Sequence, residues 1–239
     1  NRSGLVIQFD TLQFQAEGDG IVIQAEYAEK HGVKLIGGVF IGGLTIEACS
    51  VTVDISRFQW SWTGIKLLGS GDGSYFNDIK IKRLIGCPIG VHLYTDAAGQ
   101  AIQANTINIG LIWSSAACTA VKMEQAVGAH VRENLVQAGL DSSTNNDVFC
   151  WNNGGDEGAN RLFACHTYDM GAQTGLNINN SGYLSIVDCE FEVSSSGIGV
   201  VNTGIIEWVN TRFWSATSGT LYTENSGMVV NASEFSDTK

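Results

Sequence analysis

Apolar residues recur in three positions of a repeat along the C-terminal third of the chain, with a constant step of 22 residues. The three series are Gly175, Gly197 and Gly219; Leu184/Ile186, Ile206/Trp208 and Met228/Val230; and Phe191, Phe213 and Phe235. Around each position apolar residues alternate with polar ones, which is typical of a strand with one buried face. The pattern therefore predicts short strands that bury their apolar faces by stacking on the next repeat.

The same two strands can be followed backwards through most of the chain. The first recurs at Gly20-Ile21, Gly43-Leu44, Gly64-Ile65, Gly90-Val91, Val121 and Val148, and the second at Val33, Val51, Ile79, Ile107, Val131 and Leu162. We predict an all-β protein, a right-handed parallel β-helix whose coils of about 22 residues carry loop insertions. Residues 1–239 form one domain in this interpretation. Because Leu5, Ile7 and Phe9 already resemble a core-facing strand, we expect a fragment of a longer chain.

Insertions into a solenoid repeat collect on one face and indicate where function lies. Five residues join the two strands in the last coils, whereas residues 68–78, 94–106 and 151–161 hold eleven, thirteen and eleven. The coil that follows Met123 has seven. Three long loops with a short one among them predict a notch.

Strand alternation gives this notch a chemically useful lining. Outward positions on or just after the first strand are Lys66, His92, Lys122, Phe149, Glu47, Tyr94, Glu124 and Trp151. Aromatic rings stack on the C–H faces of sugars, while carboxylates and amides bind sugar hydroxyls. Each such Lys, His or Glu taken singly is more often ordinary solvated surface. Loop carboxylates at Asp96, Asp156 and Glu157 are further candidates, although the last two also suit a plain surface loop.

Composition narrows the classes of partner. The net charge of −11 repels nucleic acid and anionic membranes, and neither a membrane-spanning apolar run nor a signal peptide is present. The six cysteines show no CxxC pair and no histidines at metal-ligand spacing, so buried free thiols are expected. No nucleotide-binding or hydrolase motif occurs. We therefore predict no cofactor, no metal, no nucleic acid and no membrane insertion.

The glycine-led strands, the segment Ser74–Ile81 and the run Gly90-Val91-His92-Leu93 resemble the β-helix body of phage tailspikes and the wider pectate-lyase-like superfamily. This resemblance implies a homotrimeric, extracellular protein of a virion tail that binds bacterial surface polysaccharide and often cleaves it. It also implies either a carboxylate pair for hydrolysis or a basic residue with acidic partners for lyase chemistry. No calcium signature can be placed on this chain, so calcium dependence is not implied.

These expectations favour an enzyme, either a glycoside hydrolase or a polysaccharide lyase. Hydrolysis needs two carboxyl groups about 5–5.5 Å or 6.5–9.5 Å apart. Glu124 is then the candidate acid, with Asp96, Asp156 or Glu157 as its partner. In a lyase, His92 or Lys122 would remove the proton α to a uronate carboxyl group. The remaining binding residues are Tyr94, Trp151, Phe149 and Glu47.

Two alternatives remain open from the sequence. The first is a non-catalytic receptor-binding or structural segment of a fibre, in which the coils supply length and stiffness. The second is a secreted bacterial polysaccharide lyase or epimerase that works as a monomer. Repeated asparagines such as Asn180 and Asn202 are expected to satisfy turn backbone rather than to bind ligand.

Overall fold

A computed structural model describes the chain over residues 4–14, 20–24, 32–59, 62–70, 73–113, 119–141, 149–153, 159–168, 176–193, 198–215, 224–225 and 228–232. All regular structure in these ranges is β-strand, and none of it is helix. In the same ranges there is accordingly no helix of the length and apolarity needed to cross a bilayer.

The strands are short and follow one another closely along the chain. The first thirteen are β1 (Val6–Gln13), β2 (Ile21–Gln24), β3 (Lys34–Ile41), β4 (Leu44–Glu47), β5 (Thr52–Gln59), β6 (Thr63–Leu68), β7 (Ser74–Tyr75), β8 (Asp78–Ile85), β9 (Ile89–Tyr94), β10 (Ala101–Gln103), β11 (Thr106–Trp113), β12 (Thr119–Glu124) and β13 (His130–Arg132). The remainder are β14 (Leu135–Asp141), β15 (Phe149–Asn153), β16 (Asn160–Phe163), β17 (His166–Tyr168), β18 (Leu176–Asn180), β19 (Tyr183–Val187), β20 (Glu190–Val193), β21 (Ile198–Asn202), β22 (Ile205–Val209), β23 (Arg212–Ser215), β24 (Glu224–Asn225) and β25 (Met228–Ala232).

Successive strands alternate between two large parallel sheets. The nine-stranded sheet has the order β2-β4-β6-β9-β12-β15-β18-β21-β24. The thirteen-stranded sheet follows β1-β3-β5-β8-β11-β14-β16-β19-β22-β25, with β17, β20 and β23 beside the later members. Since each coil gives a strand to each sheet and pairs in parallel with the next coil, the chain is a β-solenoid. This confirms the predicted parallel β-helix.

The core is a column of apolar side chains from stacked coils, in the register that the repeat predicted. Ile186, Trp208 and Phe191 are fully buried, as are Leu184 and Ile206. Leu184 pairs with Ile206, and Ile186 pairs with Trp208, on β19 and β22. The side chains of Phe213 and Val230, and all of Phe235, lie outside the described residues.

The last coil departs from the 22-residue step by one residue. Met228, expected above Leu184 and Ile206, is 54% exposed and pairs with Ile205. Ile206 pairs instead with Val229, which is 23 residues further on. Because neighbouring residues of a strand face opposite sides, this slip of one position turns Met228 to solvent. The predicted place of Met228 in the buried column is therefore wrong.

A small third sheet lies at the corner where the notch is predicted. Strands β7, β10 and β13 pair in parallel at the same corner of three successive coils. Val131, expected in the second main strand, pairs with Ile102 in this sheet, and the main strand begins only at Leu135. The coil after Met123 therefore contributes a strand to this sheet, as the two coils before it do.

A ladder of buried asparagines holds the next corner. In Asn77, Asn105 and Asn134 the backbone N–H donates to the side-chain oxygen of the next asparagine, over 3.0–3.2 Å. Asn160 ends the series. The residues that precede them, Phe76, Ala104, Glu133 and Ala159, have φ angles of 50–59°. This left-handed turn points backbone N–H groups inward, where each needs an acceptor.

A second asparagine pair and the cysteines agree with their predicted structural roles. Asn180 donates to Gly182 O at 2.9 Å and to Asn202 Oδ1 at 3.0 Å, so these amides satisfy turn backbone as expected. Cys87, Cys165 and Cys189 are buried free thiols, and Cys49 is a half-buried one. Burial raises the pKa of the Cys165 thiol well above its ordinary value, which keeps it protonated and unreactive.

Candidate functional site

The candidate site lies on the outer face of the nine-stranded sheet, across β6, β9 and β12. Lys66, His92 and Lys122 are in register on these strands. Tyr94 and Glu124 form the next outward row, two residues further along their strands. Residues at the intervening inward positions, such as Leu93 and Met123, are fully buried and anchor the strands. The register thus brings together five side chains that are dispersed over residues 66–124.

Glu124 is the centre of this cluster. Its Oε2 lies 2.7 Å from His92 Nε2, and its Oε1 lies 2.7 Å from Lys122 Nζ. The Lys66 ammonium lies 4.6 Å from the centre of the Tyr94 ring, in cation–π geometry. The rings of His92 and Tyr94 are tilted at 5.1 Å between centroids. Two ammonium groups and one carboxylate leave the cluster with a local excess of positive charge.

Glu124 is ionised at neutral pH. Its partial burial opposes the charge, but the hydrogen bonds from Lys122 and His92 prevail and hold the pKa of the carboxyl below its ordinary value. An ionised carboxylate has no proton to give. Glu124 is therefore suited to orient its two partners or to accept a proton, and not to the predicted part of general acid.

His92 is neutral at the same pH. Burial lowers the pKa of His92 below the ordinary histidine value and outweighs the hydrogen bond and charge of Glu124, which raise it. Because ionised Glu124 can only accept, His92 Nε2 must carry the hydrogen of their shared bond. Nδ1 then holds a free lone pair, as a base requires. About 11% of the His92 side chain is accessible.

Two further candidates lie apart from Glu124. Glu47, on β4, accepts hydrogen bonds from Ser70 Oγ at 2.6 Å and Gln24 Nε2 at 3.0 Å. Asp96, in the exposed turn after β9, accepts a bond of 2.6 Å from Gln100 Nε2. The groups that act on the Glu124 carboxyl are Lys122 and His92, and neither of these carboxylates is among them. Asp156 and Glu157 lie outside the described residues.

The pairing of β15 with β12 differs by one residue from the register that the sequence pattern predicted. Phe149 pairs with Val121, and Trp151 pairs with Met123. The side chains of Val121 and Met123 are fully buried, whereas the side chains of Phe149 and Trp151 lie outside the described residues. The sequence pattern started this strand at Val148, one residue early, because no glycine marks its beginning. A shift of one residue exchanges the two faces of a strand.

Residues that the sequence pattern did not single out are in backbone register with Lys122 and Glu124. Cys150 is in register with Lys122, and Asn152 with Glu124. Asn179 follows Asn152 on β18. Buried Ile178, which pairs with Trp151, would have indicated this register if the strands had been aligned backwards from β18.

Neither a metal-binding cluster nor a similar known protein gives further information on the candidate site. Over the part of the chain that the structure describes, no group of three or more His, Cys, Asp or Glu residues could hold a metal ion. No protein-family model matches the chain, and no curated protein and no solved structure matches it either. We therefore infer the function of the candidate site from the geometry of its residues.

Proposed function

We propose that this protein binds an acidic polysaccharide along the outer face of the nine-stranded sheet and cleaves it by β-elimination. The observation that carries the proposal is the row Lys66–His92–Lys122, in which a neutral histidine stands between two ammonium groups on adjacent strands. Neighbouring strands are about 4.8 Å apart. A uronate carboxylate above His92 would thus lie close to both lysines.

Tyr94 and Glu124 complete the binding surface beside this row. The Tyr94 ring offers a face for stacking of a sugar, and its hydroxyl group can donate a hydrogen bond. Lys66 already lies against this ring, so its charge is placed next to the stacked sugar. Acidic sugars suit this local excess of positive charge in a protein whose overall charge is −11, because most of the remaining surface would repel them.

Elimination fits these residues better than hydrolysis does. Hydrolysis requires a protonated carboxyl group and a second carboxylate nearby, whereas the pKa of Glu124 is lowered and its partners are cationic or neutral. Elimination requires a base next to groups that stabilise the uronate carboxylate as negative charge builds up on it. Neutral His92 with Lys66 and Lys122 meets that requirement.

The proposed step balances within this cluster. His92 Nδ1 takes the proton from C5 of a 4-linked uronate, and the freed electron pair forms the C4=C5 double bond. The C4–O4 glycosidic bond breaks, and the departing oxygen takes a proton from the Tyr94 hydroxyl. His92 then releases its proton to water, and water returns a proton to Tyr94. Glu124 holds His92 in the tautomer that this step needs.

We place this activity outside the cell, in a tailspike-like domain of a phage virion that recognises bacterial surface polysaccharide as a homotrimer. A stiff solenoid with an outward polar face supports this setting, as does the resemblance of its glycine-led strands to tailspikes. Light scattering tests the assembly. A mass three times that of the 25.6 kDa chain is expected, and a monomer would favour a secreted bacterial lyase.

The decisive experiment is incubation with alginate, polygalacturonate, hyaluronate and bacterial capsular polymers, with neutral dextran as control. Unsaturated uronate is measured by its ultraviolet absorbance, and new reducing ends are measured separately. We expect both signals on acidic polymers, and a loss of about 100-fold in His92→Gln with binding retained. His130→Gln, at an exposed position of β13, is the matched control.

The other outcomes separate the remaining functions. Reducing ends without unsaturated product would show hydrolysis and would overturn the elimination step. Binding without either product would favour the receptor-binding segment, a function with which the limited exposure of His92 also agrees. Absence of binding to every acidic polymer would overturn the proposal as a whole.

A further inference from the structure

A second cationic surface lies on the thirteen-stranded sheet, in the same coils as the candidate site. Four of the 13 Lys and Arg residues, Arg57, Lys80, Lys82 and Arg83, lie on the adjacent strands β5 and β8. Arg57 and Arg83 are directly in register. Both are exposed, as is Lys82. We call Arg57, Lys82 and Arg83 the arginine patch.

The arginine patch lacks the counter-charges that a structural role would require. Lys80 is paired with Asp78 at 2.8 Å. In the part of the chain that the structure describes, the other ion pairs join Glu124 to His92 and Lys122, and none reaches the arginine patch. Among the described residues, Arg57 donates only to the neutral Gln59, at 3.0 Å. Like charges directly opposite each other on a sheet destabilise it, so an anion that binds between them relieves a cost.

A bend in the strands presents this patch. Lys82 and Arg83 are consecutive yet both exposed, because β8 turns at this point. The same bend brings the next strand so close that a Cβ on Gly110 would lie 2.9 Å from Lys82 O. The backbone that carries the patch is therefore packed tightly between neighbours, and the cations project from a firm surface.

An exposed aromatic ring adjoins the cations. Trp113 is 46% exposed on β11, two residues beyond Leu111, which is in register with Arg83. Guanidinium groups bind carboxylates through two parallel hydrogen bonds, and a tryptophan face stacks on sugar rings. This combination recognises a sugar that carries a carboxylate. Nucleic acid is a poorer candidate, since the net charge of −11 repels its closely spaced phosphates.

We infer that the arginine patch and Trp113 form a second, non-catalytic binding site for acidic polysaccharide. The choice of polymer rests on the proposed function. Nine residues separate Arg57 from Lys66, and nine separate Arg83 from His92. A nine-residue segment spans at most about 30 Å, so one long polymer can reach both sites. Simultaneous contact would strengthen the binding of long chains without changing the reaction of short ones.

The test is the double variant Arg57→Gln/Arg83→Gln, measured against Lys34→Gln/Arg212→Gln. Both doubles remove two exposed cations from the same sheet, but only the first touches the patch. We expect the first to weaken binding of long alginate or polygalacturonate about tenfold and the second to change it less than about twofold. Turnover of short oligouronates should be the same in all three proteins. Trp113→Leu should also weaken binding, unlike Trp62→Leu at another exposed tryptophan.

Other results would overturn this inference. Equal binding by the patch variant and wild type would do so, as would equal weakening in both double variants, which would indicate a general charge effect. Unchanged polymer binding with a lower mass in light scattering would show that the patch joins copies of the chain. If wild type cleaves the polymer but the patch variant binds it equally well, only the second site is refuted. If the patch variant binds more weakly but wild type does not cleave, only the proposed reaction is refuted.

Discussion

His92 Nε2 lies 2.7 Å from Glu124 Oε2, although 32 residues separate them in the chain. The two side chains meet because β9 and β12 pair in parallel, with each residue on the outward face. Each changes the other: the hydrogen bond helps to keep Glu124 ionised, and the carboxylate opposes the fall in pKa that burial causes in His92. Their coupling makes the site sensitive to the charge at residue 124.

Glu124→Gln tests this coupling. The amide keeps the shape of the side chain but removes the charge that raises the pKa of His92. We expect kcat/KM on an acidic polysaccharide to fall about 10- to 100-fold. The acid limb of its pH profile should move to lower pH, since the pKa of the proposed base falls further. Glu133→Gln, at an exposed turn position, should leave both quantities unchanged. An unmoved acid limb would contradict the coupling.

His92 also makes the stability of the protein depend on pH. Its pKa in the folded protein is below the value of about 6.5 that it has when unfolded. Between those two values the unfolded chain binds more protons, so the free energy of unfolding rises with pH. This contribution is complete above pH ~6.5 and is lost as the pH falls toward the folded pKa. The free energy of unfolding, measured with denaturant, should therefore rise more steeply with pH just below pH ~6.5 in wild type than in His92→Gln, and parallel curves would refute this.

Tyr94 should separate binding from cleavage. Tyr94→Phe keeps the ring under Lys66 but removes the hydroxyl group, so we expect nearly unchanged affinity and slower cleavage. Tyr94→Leu removes the stacking face as well and should weaken binding by about 0.5–1.5 kcal/mol. Calorimetric titration with an oligouronate measures the affinity, and the ultraviolet absorbance of the product measures the rate of cleavage. Full activity in the Phe variant would exclude the hydroxyl as proton donor.

Asn105 is expected to contribute strongly to stability. Its Oδ1 accepts from the backbone and the side chain of Asn77, and its Nδ2 donates to Ser74 O and Asn134 Oδ1. Asn105→Ala leaves these buried groups without partners, at about 1–3 kcal/mol for each group that water cannot reach. We expect a loss of at least about 3 kcal/mol in denaturant unfolding. Asn108→Ala, which removes one half-buried bond to Gln137 on the neighbouring strand β14, should cost less than about 1 kcal/mol.

Ile206 and Met228 test the register of the last coil. The repeating pattern places both in the buried column, but only Ile206 is fully buried and Met228 is 54% exposed. Ile206→Ala should therefore lower the free energy of unfolding by about 2–5 kcal/mol. Met228→Ala should change it by no more than about 0.5 kcal/mol. Equal losses in chemical denaturation would contradict the slip of one residue.

The sequence by itself determined the class of fold. Alternation at Leu184 and Ile186 and again at Ile206 and Trp208 predicts buried strands, and the fixed step between them predicts stacking of coils. The fully buried side chains at these positions confirm both. Such patterns can be read locally because the face of a strand depends only on odd or even position. The five outward residues of the candidate site could be found in the same way, since Gly64 and Gly90 hold the same position, the second, in β6 and β9.

Only the tertiary structure decided where the pairing of strands departs from the repeat that the sequence predicts. At β15 no glycine marks the start of the strand, and in the last coil the pairing step is 23 residues instead of 22, so counting misaligns Phe149 and Trp151 with the preceding strand and places Met228 on the wrong face. Pairing with the preceding strand fixes their register, and that pairing is not visible in the segment itself. The charge states of the site were equally beyond the sequence. They depend on the burial of His92 and on its 2.7 Å contact with Glu124, which arise only when adjacent coils stack.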